Sequence, residues 1–507
     1  MPKLKHLRQR HPSIDKEENE RLLALYEGGN RFSRNLQKFL PARPQEQGER
    51  YAARRKEAVY RNYVGPIVDY FTSLLFSSRP RAVAKDKNGD DLEETPEYYS
   101  QFRDDCDTHG ADLDDTFKGL LTDALVQGKS WLWLQHPGGQ DVRNRAEFEE
   151  LKLGDSWVTP LTFDDVLDWE TDDGGVLAWA IVHSKSSKRE SLSGGRSKVT
   201  ETWHHLQRDR VDTYQISYED NKPPNEDMTD VPLVASVGHR YGAVPLVCLD
   251  LPVGLWVTSR LETPQLAHFR MSNAQAWGMS ATCYAMPVFK VKSPENFKKA
   301  AMGAGYGFFI HPDEDIEWTA PAAAPFAALS EEIKSHKDEI FRIAHTMALG
   351  VENNAAAVGR SAESKATDAR ATGVVMLSYS RIVKETMELV YDMISRARGD
   401  EITWSIEGMD DFAADDLFGL VDVAEQMENF GGIPSKTFQV EFKTRLAESI
   451  MPDLDQAKKN EIKREIETGV GEQTVDAREE REARKLSAIS SNLRKEPVSE
   501  PQTNVKQ

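Results

Sequence analysis

The stretch DCDTHGADLDDT, residues 105–116, places Asp105, Asp107 and Gly110 at the first, third and sixth positions of a calcium-binding loop. It departs from that pattern where the metal is gripped. His109 stands where a carboxylate or amide is required, and Thr116 stands in place of the bidentate Glu, so the stretch reads as a capped helix start with an acidic surface. The glycine-rich GAGYG at 303–307 lacks the Lys-Ser/Thr pair of a phosphate-binding loop and the spacing of a dinucleotide fingerprint, and reads as a turn before the strand-like YGFFI. His204 and His205 are neighbours in a strand-like run, which points them to opposite faces rather than to one metal. The sequence contains no HExxH and no GxSxG. Cys106, Cys248 and Cys283 are far apart, outside any CxxC or Cys/His spacing, which supports neither a disulfide framework nor a zinc site and fits synthesis in a reducing compartment. The residues therefore predict no enzyme, no catalytic or metal site and no cofactor.

The bulk composition narrows the class further. Sixty-four Lys and Arg against 83 Asp and Glu give a net charge of −19 over 507 residues, which opposes nucleic-acid binding unless cations are locally concentrated. That length exceeds one ordinary core and predicts two to four structural regions. The basic start MPKLKHLRQRHPSID has no apolar segment behind it, and no run is long enough to cross a bilayer, so neither secretion nor membrane insertion is expected.

The elements that would carry any function follow from periodicity. Residues 1–80 have helical spacing: ENERLLALYEGG is closed by glycines, and 49–76 reads as an amphipathic core helix bent by Pro66. A further helical region spans 104–134. Compact or alternating apolar runs separated by turns follow: WLWLQHP, DSWVTPLTFDDVLDWE, GVLAWAIVHS, KVTETWHHLQ, RVDTYQISYED and AVPLVCLD predict an antiparallel sheet region with tryptophans as core anchors. Helix resumes over 257–283. A strand-bearing insert with MPVFKV and YGFFIHP, a lysine-bearing segment and the linker APAAAPF separates it from a helix over 328–348.

After the small-residue loop NNAAAVGR, Ser361 caps a helix that reaches Arg398 without a proline, roughly 55 Å at ~1.5 Å per residue. Its first half is narrow on one side, with Ala362, Ala366, Ala369, Gly373 and Leu377. Its second half is bulky, with Val383, Met387, Val390 and Ile394. Beyond it, EITWSIEG predicts a strand, DDLFGLVDVAEQMENFGG and IPSKTFQVEFKTRLAE predict helices, and the charged remainder fades into a polar tail. The fold class is α+β, mainly helical.

This order of elements (helix, strand-bearing insert, helix, small-residue loop, very long helix) resembles the portal proteins of tailed bacteriophages over residues 49–467. The stretches YAARRKEAVYRNYVGPIVDYFTSLLFSSRP and GRSAESKATDARATGVVMLSYSRIVKETMELVYDMI resemble that family most. The resemblance implies a homo-oligomeric ring, usually of twelve subunits, at one capsid vertex of the virion, made in the cytoplasm of the bacterial host. Such a ring is the channel for double-stranded DNA during packaging and ejection. It docks the terminase large subunit, which supplies ATP hydrolysis, along with major capsid, scaffolding and neck or adaptor proteins, and it involves no membrane. The implied parts are N-terminal helices and a strand-rich wing over 1–256, stem helices over 257–283 and 326–349, and a clip over 284–325. A tunnel loop follows over 350–360, then a long wing helix with the next strand and helix over 361–429, a crown over 430–490 and a disordered tail over 491–507.

On that resemblance the DNA-facing loop residues are Gly350, Asn353, Asn354, Ala356, Gly359 and Arg360, a mobile, mostly uncharged collar. Arg360 has two readings, a transient phosphate contact or an ion pair with Glu363 or Asp368. Phe289, Lys290, Lys292, Lys298 and Lys299 are the partner-contact residues of the clip, with strand packing as the other reading of Phe289. An acidic wall would let a polyanion slide without being held. The same charge also serves solubility alone. A nucleotide- or metal-dependent enzyme with atypical motifs is the alternative function.

Overall fold

The computed structural model describes residues 1–92, 95–137, 155–189, 197–219, 222–282, 286–290, 315–319, 324–348, 362–410, 440, 444, 458 and 461–466. It comprises two units, Met1–Phe412 and Ala413–Gln507. In the second unit the described residues are helical, and Thr444 Oγ1 donates to Val440 O at 2.8 Å. The predicted helix over DDLFGLVDVAEQMENFGG and the polar tail lie outside the described residues, as do the GAGYG turn, YGFFIHP and the Ser361 cap.

The first unit is α+β. It opens with α1 (Leu4–Leu7), α2 (Lys16–Glu27), α3 (Gly29–Phe39), α4 (Gly48–Lys56) and α5 (Val64–Leu75). Asp15 caps α2 by accepting from the Glu17 and Glu18 amides. The single bent helix expected over 49–76 is instead two helices, α4 and α5, joined by an extended segment. Pro66 sits in the first turn of α5, where its missing N–H leaves no bond unmade.

Next come β1 (Arg81–Lys85), α6 (Glu97–Asp104), α7 (Leu113–Gln127), β2 (Lys129–Gln135), β3 (Trp157–Leu161), β4 (Val166–Thr171) and β5 (Leu177–Arg189). They are followed by β6 (Ser197–Leu206), β7 (Arg210–Glu219), β8 (Leu233–Gly238) and β9 (Leu246–Asp250). Strands β4 to β8 form an antiparallel five-stranded sheet in sequence order, and β3, β2 and β9 form a second sheet. The helix expected to reach residue 134 ends at Gln127, because Gly128 takes a left-handed φ of 86° and the chain turns directly into β2. The tryptophans are anchors as expected: Trp131, Trp169 and Trp203 are all buried. His204 packs on Trp133 and His205 on Trp179, from opposite faces of β6.

The basic N-terminus packs on this sheet. Leu4 N donates to Thr229 O at 2.9 Å, Leu4 and Leu7 are buried against Trp203, and His11 N donates to Leu167 O on β4. Arg8 pairs with Glu201 at 2.7 Å.

The unit ends with α8 (Val257–Thr282), β10 (Met286–Lys290), β11 (Asp315–Thr319), α9 (Ala324–Ala348), α10 (Ala362–Arg398) and β12 (Thr403–Glu407). The APAAAPF linker is shorter than expected: α9 begins at Ala324, with Pro325 in the first turn, where it is tolerated. Strand β12 pairs antiparallel with β1, closing the C-terminal end of this unit against its N-terminal helices. Among the described residues no helix is long and apolar enough to cross a membrane.

Candidate functional site

The feature that the sequence singles out is the α8–α9 pair. Gln275 Nε2 donates to Ser330 Oγ, and Gly278 lies against the Phe326 ring, so the helices run antiparallel. The opposed numbering continues into the ribbon, where Met286 pairs with Thr319 and Lys290 with Asp315. The whole is one long hairpin with a two-stranded end.

The root of the hairpin is embedded. Val257, Leu261, Ile340 and Ala344 belong to the largest core cluster, together with Leu22, Phe71, Tyr379 and Met387. Toward the ribbon burial falls away: Ala276, Met279, Ala327, Ala328 and Glu331 are exposed. Phe269, midway along α8, is buried among Phe32, Phe39 and Tyr60.

Two amides on α8 hold the extended segment that precedes α5. Gln265 Nε2 donates to Arg61 O at 2.8 Å and its Oε1 accepts from Tyr63 N at 3.3 Å. Asn273 treats Val59 in the same way. Between them His268 is 1% exposed and its Nδ1 has no hydrogen-bond partner among the described residues. Burial lowers its pKa, and Arg61, His336 and Lys337 push in the same direction, so the ring stays neutral.

After α9, the next described element is α10, whose second half is core. Met376, Tyr379, Val383, Met387, Val390 and Ile394 are buried at helical spacing, and Tyr379 Oη donates to Leu255 O at 2.7 Å. The loop residues Gly350, Asn353, Asn354, Ala356, Gly359 and Arg360 lie outside the described residues, as do Lys292, Lys298 and Lys299. Phe289 and Lys290 are in β10, paired with Ile316 and Asp315.

Several buried acidic and thiol groups titrate away from their ordinary range. Burial raises Asp123 on α7 to about 6. Burial also pushes the Cys106 thiol up to about 11 and Cys248 up to about 12, which keeps both protonated and unreactive at neutral pH. In the 105–116 loop the carboxylates serve the backbone: Asp107 accepts from the His109 and Ala111 amides, Asp105 from Gly110, and Asp112 caps α7. Among the described residues no group of three or more His, Cys, Asp or Glu side chains is placed to hold a metal ion.

No protein-family model and no curated protein matches the sequence. Among solved structures, the chain is similar to one in the neck of an empty GTA particle computed with C6 symmetry, at 13% identity and a TM-score of 0.42. It is also similar to one in the virion of a native gene transfer agent (GTA) particle, at 12% identity and a TM-score of 0.39, and to one in the neck of the native particle computed with C12 symmetry, at 12% and 0.38. In all three the alignment covers 84% of this chain and 98% of the other.

Proposed function

We propose that this protein is a portal subunit: a non-enzymatic ring component that sits at one vertex of a phage-type capsid and conducts double-stranded DNA during packaging and ejection. One observation carries the reading. A long antiparallel helical hairpin is rooted in the core, ends in a strand ribbon, and is followed in the chain by the 37-residue helix α10. Exposed at its far half, such a hairpin lacks the neighbours that two isolated helices need in water, and a ring of copies supplies them.

In this reading α8 and α9 are the stem, and 284–325 is the clip that meets the terminase motor and neck proteins, with Phe289 and Lys290 on its ribbon. Residues 350–360 are the tunnel loop, the strand-rich region is the wing, and residues 430–490 are the crown. Twelve copies form the ring. The acidic balance of the chain suits a wall past which a polyanion slides.

Electron-microscopic imaging of the purified full-length protein, with its mass measured in solution, tests the reading. A ring with an opening wide enough for duplex DNA is expected. A protein that stays monomeric even with capsid and scaffolding partners would overturn it.

A further inference from the structure

Between residues 29 and 61 the chain carries nine Lys and Arg against three Glu, a local positive excess in a protein of net charge −19. Part of that charge is answered nearby: Arg31 pairs with Glu20 and Glu27, Lys38 with Glu17, and Arg54 with Glu46. Arg34, Arg50 and Lys56 are exposed and have no carboxylate at salt-bridge distance among the described residues. Arg55 lies over the Tyr51 ring at 4.8 Å, with its Nε buried and unpartnered. Helices α3 and α4 thus present a cationic layer.

The opposite charge is on α9. At 3.6 residues per turn, Glu331, Glu332, Ser335, Asp338 and Glu339 lie roughly 80–200° around that helix from Ser330, the residue that meets α8. They form its side away from α8, and all but the half-buried Glu339 are exposed; Arg342 shares that side and pairs with Glu339, and Glu332 lies 3.5 Å from His336. The α3 layer packs on the other side of α8: Phe32 meets Phe269 at 4.9 Å, and Phe269 is about half a turn around α8 from Gly278, which meets α9. Cations and carboxylates therefore flank the hairpin on its two edges.

We propose that the α3–α4 cations of one copy dock against the α9 carboxylates of the next copy. The inference rests on the ring reading above. A closed ring is built from head-to-tail contacts, which require two different and complementary surfaces on each subunit. These two surfaces are of opposite sign, and Arg34, Arg50 and Lys56 on the one and Glu331 and Asp338 on the other have no ion-pair partner among the described residues. An edge-to-edge contact between copies answers both at once, and it also gives the exposed half of α9 a neighbour.

The test uses three full-length variants compared with the unaltered protein by mass in solution over a salt series. Arg50→Glu with Lys56→Glu sets acid against acid, and Glu331→Lys with Asp338→Lys sets base against base. Each pair is expected to weaken ring assembly about tenfold or more at low salt. The four changes together exchange the two signs and are expected to restore assembly to within about threefold. Because the substituted side chains are exposed, the exchanged protein also serves as the folding control.

Rings in which either two-residue variant assembles as well as the unaltered protein would overturn the proposal and leave the ring reading standing. So would loss of assembly that the exchange fails to restore. Unaltered rings that lose only DNA retention in the α4 variant would assign the cations to nucleic acid instead. A protein that forms no ring in any form would overturn both readings.

Discussion

Asn273 grips both backbone polar groups of Val59: Val59 N donates to Asn273 Oδ1 at 2.9 Å, and Asn273 Nδ2 donates to Val59 O at 3.2 Å. A side chain in mid-helix thereby does what a neighbouring strand would do for an extended segment. Asn273→Ala leaves both Val59 groups without those partners and is expected to cost about 1–2 kcal/mol, since each such bond is worth about 0.5–1.5 kcal/mol net. The comparison is urea unfolding of this variant against Met279→Ala, an exposed change on the same helix expected to stay within about 0.5 kcal/mol.

Gly65 lets α5 lie close against α2. A Cβ there would lie 2.8 Å from Tyr26 O, a backbone atom that cannot swing aside. Gly65→Ala is expected to destabilise by about 1–3 kcal/mol through forced separation of the helices. Gly48→Ala, where a Cβ meets nothing within 4 Å, should be neutral or slightly stabilising in the same thermal melt.

The strand-rich region should be acid-sensitive. Burial depresses His204 to about 4 from the 6.5 of a free imidazole, so the unfolded chain takes up the proton first. The stability that depends on neutral His204 is therefore complete above about pH 6.5 and is lost as the pH falls toward 4, at a slope approaching about 1 kcal/mol per pH unit. Burial holds His136 at about 4 as well, which steepens the same decline. Unfolding midpoints at pH 7.5 and pH 5 should differ less in His204→Gln than in the unaltered protein, and an unchanged difference would refute the assignment.

Ser395 on α10 connects α6 to β12. Tyr99 donates its proton to Asp400 Oδ2 at 2.8 Å, so at the 2.9 Å contact Ser395 donates to the Tyr99 oxygen while accepting from Trp404 Nε1 at 2.8 Å. Ser395→Ala strands a buried indole N–H and is expected to cost about 1–3 kcal/mol. Denaturant unfolding read by tryptophan fluorescence measures it.

The sequence made the helices legible where apolar spacing was regular. Leu261, Leu266 and Phe269 mark α8, and Val383, Met387 and Val390 mark the second half of α10. Strands showed where tryptophans and β-branched residues clustered, as in β2 and β6. β8 escaped notice because LVASVG has no polar alternation and all six of its residues are exposed. The N-terminal arm escaped because its role is relational: Leu4 and Leu7 are unremarkable until Trp203 and Val231, some two hundred positions away, supply the surface that buries them. The same holds for Asn273 and Gln265, whose amides look like ordinary helix polarity. The charge flanks of the hairpin were equally hidden, because net charge averages them away.

The hairpin that leaves the core at Leu261 and Ile340 is also a lever. Its root is fixed by packing, its shaft is α-helical with Pro264, close to the root, as the point where the axis can bend, and α8 alone is ~39 Å long at 1.5 Å per residue. A tilt of about 5° at the root would carry the ribbon end sideways by about 3 Å over that length, roughly half a helical turn. Small repacking among Leu261, Ile340 and Tyr379 would thus be amplified at β10 and β11, so a partner engaging the ribbon and the side chains at the root could sense one another without any change in the shaft between them.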